Sequence, residues 1–389
     1  MRELNYVSTG RLEWFDRPEP ELHGPTDAIV RPFVVSRCDG DTLPIHWKGV
    51  TTMLAAGLRT GVIDPSVGHI AGHPPFQGPA PIGHEAIAEV IALGSDVTHL
   101  AIGDQVVVPW SVSCGTCQNC RRGLTSKCLT TRRDPAAPDG LRYLSAYGFG
   151  AASGPYGGMV TDLLRVPHAD HMLVKLPDGL DPLRVAAASD NLADGWRAVV
   201  PGLRARPGGR VLIMAGGAKS IALYAAGLAV AHGASQVDYI DTDADRAAIA
   251  ESFGARVQVV RSTRVSLPGL GYPRPVREGY DIVVEATSSG AGLRHVIRCT
   301  APGGECTAVG YYVGTTTPVP LMHMYATDIT LHLGVTHPRA VLPELLDWMA
   351  THDFPAERVT TTLADFDDAP AAYAAETTKL VLRRDPLHA

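Results

Sequence analysis

Up to residue 178 the apolar positions come in short β-branched runs, such as 28–35 (AIVRPFVV), 86–93 (AIAEVIAL) and 105–109 (QVVVP), punctuated by Gly, Pro and Asp. Runs of this kind predict strands joined by turns. After Pro177-Asp178-Gly179 the rhythm changes. The run 210–214 (RVLIM) predicts a buried strand, the Ala-rich 220–232 a helix, 236–241 (QVDYID) a second strand and 245–253 a second helix. A strand at 280–285 (YDIVVE), a helix at 292–299 and a strand at 306–310 continue the alternation. Strands alternating with helices predict a parallel sheet covered on both faces. From about residue 336 the character is mixed again, with a helix predicted over 341–350. There is no internal repeat and no low-complexity linker.

One stretch breaks the first region. Between His46 and Pro81 runs a Gly/Pro/His-bearing segment in which only 51–59 (TTMLAAGLR) reads as a short helix. A connection of that length inside a domain is usually functional or mobile. Its ends adjoin candidate site residues on both sides, which predicts that it shapes substrate access.

Composition narrows the class without changing this picture. A chain of 389 residues predicts two domains. Net charge is −6 with no Lys/Arg block, which argues against nucleic-acid and anionic-membrane partners. No stretch approaches the roughly 20 apolar residues of a membrane span. The first residues, MRELNYVSTGRLEWFDRPEPEL, contain no apolar core of a signal peptide, so a cytoplasmic location is expected.

Of seven cysteines, four crowd into Cys114-x2-Cys117-x2-Cys120-x7-Cys128. Two-residue gaps let successive thiolates converge on one ion, and the fourth closes a tetrahedron without a vacant position. This spacing predicts a structural zinc lobe at 114–128 rather than disulfides. Cys299 and Cys306 flank a predicted strand and read as core residues.

The lobe does not stand alone. Cys38 lies near the end of an early strand, followed along the chain by Gly83-His84-Glu85, the lobe, Tyr156-Gly157-Gly158 and Val309-Gly310. In this order and spacing the chain resembles the zinc-containing medium-chain dehydrogenase/reductase (alcohol dehydrogenase-like) family over nearly its whole length, departing at the 46–81 insertion. The resemblance implies an α/β fold: a Rossmann doubly wound parallel sheet plus a β-rich GroES-like catalytic domain. The catalytic domain would comprise residues 1–190 and 336–389, and the NAD-binding domain residues 191–335. It further implies a catalytic zinc held by Cys38, His84 and, in the stretch ASDNL, Asp190, with Glu85 as a carboxylate behind the metal that can enter its coordination sphere. Asp in place of a third Cys occurs in some branches of the family. Such a donor set leaves a fourth position for water or substrate oxygen. Two zinc ions per chain, a small-molecule substrate and a homodimer or homotetramer follow from the same resemblance.

The nucleotide loop is less regular. A dinucleotide site wants G-x-G-x-x-G between strand and helix, so that backbone can approach the pyrophosphate. Here the segment 214–222 (MAGGAKSIA) offers Gly216, Gly217, Ser220 and Ile221, with the third glycine position falling at Ser220 or at Ala222 according to the end counted from. Asp241, closing the second strand, is placed to accept hydrogen bonds from a ribose diol and to repel a 2′-phosphate, which predicts NAD. Arg246 matches a family position touching that ribose, and Val309 and Gly310 complete the cofactor set. Trp110, four residues before the lobe, matches an aromatic wall of the substrate pocket.

The resemblance implies Lewis-acid polarisation of an alcohol or carbonyl oxygen while hydride passes to or from the cofactor. The proton path departs from the family pattern, because Gly40 and Leu43 stand where relatives carry Ser or Thr and often His. Thr42, Asp39, His46, His69 or His73 could substitute. Asp194 likewise stands where many relatives have Thr. Two alternatives follow: reduction of an activated C=C or C=N bond, or a zinc-stabilised NAD-binding protein without catalysis.

Overall fold

The β-branched run beginning at Ala28 is the spine of the first of two units. The computed structural model describes residues 1–137, 139–262 and 278–388. They divide into Met1–Ala193 with His337–Asp353 and Thr360–Ala389, and Asp194–Thr336 with Phe354–Val359.

In the first unit, strand Ala28–Ser36 pairs antiparallel with Glu85–Leu93, which pairs with Gln105–Val108 and through it with Val174–Lys175. On the other side of Ala28–Ser36 come Leu380–Arg383 and Thr362–Asp365, and Leu164–Val166 also pairs with Ala28–Ser36. Alternate residues of these strands, among them Val30, Ala86, Ala88, Val106 and Val108, enter one core with Phe366 and Tyr373. A smaller sheet joins Arg2–Ser8 to Arg11–Asp16 and Ala80–Pro81.

The second unit holds six parallel strands in the order Arg256–Val259, Gln236–Asp241, Arg210–Met214, Tyr280–Glu285, Thr300–Ala308 and Thr330–Leu333. The chain winds outward from Arg210–Met214, then returns to Tyr280–Glu285 on its other flank. The reversal falls at the carboxyl ends of these two neighbours, the place where open α/β sheets bind ligands. The doubly wound sheet predicted from the alternation is therefore present, together with the β-rich unit. Among the described residues no helix is long and apolar enough to cross a membrane.

Three local outcomes differ from the pattern. The insertion carries two short helices rather than one, Val50–Thr60 and Pro65–Ala71, and a further short helix, Thr42–His46, leads into it. Asp64 caps Pro65–Ala71 by accepting from Ser66 N, a local bond too short-ranged to register as hydrophobic periodicity. Strand Thr300–Ala308 starts earlier than predicted and bulges: Tyr280 faces Thr300, but Ile282 already faces Glu305. Helix Asn191–Ala205 was hidden by Gly195 and Pro201, both poor helix residues. Gly195 has a packing reason, since a Cβ there would sit 2.9 Å from Tyr224 Cβ.

Candidate metal centres and cofactor site

The pairing of Ala28–Ser36 with Glu85–Leu93 sets Ser36 opposite Glu85. Cys38, two residues beyond the first strand, and His84, one before the second, therefore emerge at the same end of the pair. Asp190 reaches them because its neighbours are fastened to the same strand. Ser189 Oγ accepts from Ala86 N at 3.0 Å and donates to Ala86 O at 3.2 Å, while Asn191 N donates to Glu85 Oε1 at 2.9 Å.

The three donor atoms of Cys38, His84 and Asp190 lie within 4.8 Å of one another. Cys38 Sγ is 3.1 Å from Asp190 Oδ2, and His84 Nε2 is 3.4 Å from the same oxygen. Neither ring nitrogen of buried His84 has a hydrogen-bond partner among the described residues. Asp41 Oδ1 stands 3.6 Å from His84 Nδ1. Burial alone would lower the His84 pKa, but Asp41 and Asp190 outweigh it and raise it to about 9. Burial and the acids Asp190 and Asp41 push the Cys38 thiol well above its ordinary range. A buried thiol, an unpartnered imidazole and a carboxylate in a field of acids form the soft, borderline and hard donor set that a zinc ion satisfies.

Glu85 is placed differently. Its Oε2 accepts from Ser36 Oγ at 2.6 Å and Lys379 Nζ at 2.5 Å, and its Oε1 takes the Asn191 amide. Thr42 Oγ1 donates to Asp39 O at 2.6 Å. His46 Nε2 is 3.2 Å from Ala374 O, and His69 stacks on Tyr143 with centroids 4.8 Å apart and is edge-on to His73. Trp110 is buried 5.5 Å from the Phe149 ring, which in turn lies 4.7 Å from the His84 ring.

The four lobe cysteines also lie within 4.8 Å of one another. They are free thiols, with Cys117 Sγ 3.4 Å from Cys120 Sγ and 3.9 Å from Cys128 Sγ, too far for disulfides. Backbone N–H groups of Cys117, Leu129 and Thr131 point at Cys114, Cys117 and Cys128 sulfurs. Burial raises the Cys114 thiol pKa, yet the Thr130 and Thr116 hydroxyls bring it down to about 5, so a thiolate is already favoured.

In the second unit, Gly216 and Gly217 lie between strand Arg210–Met214 and helix Lys219–Ala231, and Ser220 and Ile221 are buried in that helix's first turn. Both Ser220 and Ala222 are fully buried, so either can take the third glycine's packing position. Asp241 ends its strand fully buried and accepts from Tyr239 Oη at 2.8 Å and from Arg246 Nε at 2.7 Å. Val309 N donates to Glu285 O at 2.9 Å, and Gly310 packs on Ser288 so closely that a Cβ there would meet Ser288 Oγ at 2.6 Å. Asp194 pairs with Arg197 at 2.6 Å. An uncapped helix N-terminus after a glycine pair, with an acid ending the next strand, fits a nicotinamide dinucleotide.

Comparisons with known proteins agree with this geometry. A family described as "Alcohol dehydrogenase GroES-like domain" matches residues 24–178, and one described as "Zinc-binding dehydrogenase" matches residues 220–351. A glutathione-independent formaldehyde dehydrogenase of Bacillus subtilis is 30% identical over 326 residues, covering 75% of this chain and 76% of its own. The chain belongs to the zinc-containing medium-chain dehydrogenases of the alcohol dehydrogenase type. This dehydrogenase is also 26% identical over 380 residues to a zinc-type alcohol dehydrogenase-like protein of Schizosaccharomyces pombe, covering 92% and 83% of the two chains. Among solved structures it resembles alcohol dehydrogenase TADH from Thermus sp. ATN1, with a TM-score of 0.79, 26% identity and coverage of 98% and 99%. The four-cysteine cluster is the dehydrogenase's structural zinc site, and Cys38, His84 and Asp190 form its catalytic zinc site.

Several residues around the catalytic site escaped the sequence reading. Asn191 donates Nδ2 to Cys38 Sγ at 3.3 Å and to Asp190 Oδ2 at 3.0 Å. Its place next to Asp190 was a usable signal. Asp41, three residues after Cys38, was another. Phe149 and Lys379 lie far along the chain from any ligand, and nothing in their surroundings marks them.

Proposed function

We propose that the dehydrogenase transfers hydride between NAD(H) and an alcohol, polyol or carbonyl substrate. The unit carrying Cys38 would be the catalytic domain and the unit with the parallel sheet the cofactor domain. The observation carrying this reading is the Cys38–His84–Asp190 cluster, whose buried histidine nitrogens have no hydrogen-bond partner among the described residues.

Cys38, His84 and Asp190 would hold zinc, which when bound supplies Lewis acidity toward a substrate oxygen. Asp41 faces the far ring nitrogen of His84 and orients the imidazole. Asn191 donates to both anionic ligands and fixes their separation. Trp110 and Phe149 form an apolar wall at His84 that excludes water from that side. In the other unit, the Asp241 carboxylate favours a ribose diol over a 2′-phosphate. Arg246 is held by Asp241 and Asp243, so its charge is already engaged by acids. A homodimer or homotetramer is supported by exposed Leu321, Met322, Tyr325 and Leu333 around the outer strand of the parallel sheet. Sedimentation showing a monomer at working concentration would refute that assembly.

A second reading, reduction of an activated C=C or C=N bond, is favoured by the altered relay. Gly40 and Leu43 carry no exchangeable proton, and the Thr42 hydroxyl hydrogen is committed to Asp39 O.

Zinc per chain, measured in wild type, Cys38→Ser and Cys120→Ser, tests the zinc-dependent reading alongside NADH formation over alcohols, polyols and aldehydes and NADH consumption over enones and imines. Two ions, falling to one in either variant, with alcohol turnover lost in Cys38→Ser, support the proposal. Turnover confined to enones or imines selects the second reading. No turnover and one ion throughout refutes both.

A further inference from the structure

Three loops follow the carboxyl ends of the central strands in the parallel sheet: 215–218 after Arg210–Met214, 286–289 after Tyr280–Glu285, and 309–312 after Thr300–Ala308. Two of them carry residues expected to touch the cofactor, Gly216 and Gly217 in the first and Val309 and Gly310 in the third. The middle loop carries a feature that metal and ribose chemistry leave unexplained. Glu285, the last residue of its strand, is fully buried. Its Oε1 accepts from Thr287 N at 2.9 Å and from the Thr287 hydroxyl, and its Oε2 accepts from the Tyr312 hydroxyl. These donors are all neutral. An acid so buried is costly to keep without a charged partner, and an apolar residue would serve the core as well.

Next to it, Ser288 adopts φ +59, a left-handed conformation that non-glycine residues take rarely and that costs of order 1–3 kcal/mol. Ser288 Oγ accepts from Tyr311 N at 3.1 Å. A Cβ on Gly217 would lie 2.9 Å from Ser288 Oγ, and one on Gly310 would lie 2.8 Å from Ser288 N. Ala218 N donates to Ala286 O at 3.0 Å. The middle loop is thus wedged between the other two, and Glu285 ties it to the third through Tyr312.

We propose that Glu285, acting through Tyr312 and Thr287, is a positioning residue for the nicotinamide cofactor, setting the spacing of the 286–289 and 309–312 loops that close over it. The inference rests on the nicotinamide reading above. Glu285 touches neither substrate nor reacting atoms.

The test is NADH and NADPH titration of the zinc-loaded protein by fluorescence, with melting of the cofactor-free protein measured in parallel. In Tyr312→Phe, loss of a hydrogen bond to a charged acceptor should weaken NADH binding by about tenfold. The KM for cofactor should rise, with kcat at saturating cofactor near wild type and the cofactor-free melting temperature lowered by no more than about a few degrees. Glu285→Gln should behave similarly. Tyr312 is only half-buried, so Tyr312→Phe decides the matter if Glu285→Gln does not fold. Both folded variants binding NADH within about twofold of wild type would overturn the inference and leave the cofactor reading intact. Wild-type protein that binds neither NADH nor NADPH would overturn the cofactor reading, and the inference with it.

Discussion

Lys379 Nζ lies 2.5 Å from Glu85 Oε2, and neither side chain reaches solvent. Lys379 also donates to Asn191 Oδ1 at 2.8 Å and Arg37 O at 3.0 Å, so all three of its hydrogens are used. The pair turns Glu85 toward the C-terminal strand and keeps its oxygens occupied. Removing only the lysine strands a buried carboxylate, a change that costs about 3–5 kcal/mol. Lys379→Met should therefore lower stability to urea by about that amount, and Lys379→Met with Glu85→Gln should recover much of it. Equal stability of the single and double variants would mean that the charge is not what couples them.

Asn191 contacts two of the three candidate zinc ligands, Cys38 and Asp190. Its Nδ2 reaches Cys38 Sγ and Asp190 Oδ2 while its backbone N–H reaches Glu85. Groups that orient metal ligands are worth roughly 10–100-fold in metal affinity. Asn191→Leu keeps the volume and removes both side-chain donors. Competition with a chromophoric chelator should show one weakened zinc per chain, by about that factor, and the lobe zinc unchanged. Two sites of wild-type affinity would show the amide to be a spectator.

The second unit should lose stability in acid through His295. Burial lowers its pKa from 6.5 to about 4, and the Cys299 thiol 3.6 Å away, itself pushed up to about 12, stays neutral. Between those pKa values the unfolded chain takes a proton that the folded one refuses. Stability from this residue is complete above the unfolded pKa and is lost as pH falls from 6.5 toward 4. His295→Gln should flatten the decline in melting temperature between pH 7 and pH 5 relative to wild type. An identical decline in both proteins would remove His295 from the account.

Legibility followed the range of the interaction. Strand Arg210–Met214 was readable because burial on both faces demands a continuous apolar run, and Gln236–Asp241 and Tyr280–Glu285 because each gathers β-branched or aromatic residues between turn signals. The lobe was readable because its four ligands fall within fifteen residues and the spacing itself closes the tetrahedron. Helix Asn191–Ala205 was not, since Gly195 is selected by contact with Tyr224 rather than by helix propensity. Around Cys38 the motif residues could be named by resemblance, yet their supports could not. Lys379 is tied to Glu85 across 294 residues, and Phe149 reaches His84 from a loop with no periodicity.

What the sequence alone determined, then, was local: which segments are strands, that four cysteines converge, and which residue types stand in the positions of a zinc dehydrogenase. A strand's buried faces and a lobe's ligand spacing are written in consecutive residues, so short-range chemistry suffices to read them. The tertiary structure decided the rest. It turned the Glu85 oxygens to Lys379, Ser36 and the Asn191 amide, and left both His84 nitrogens without a hydrogen-bond partner among the described residues. It also wedged Ser288 between two glycines that lie far apart in the chain. Such relations exist only once packing brings distant residues together, because a buried polar group is satisfied by whatever donors the fold delivers to it.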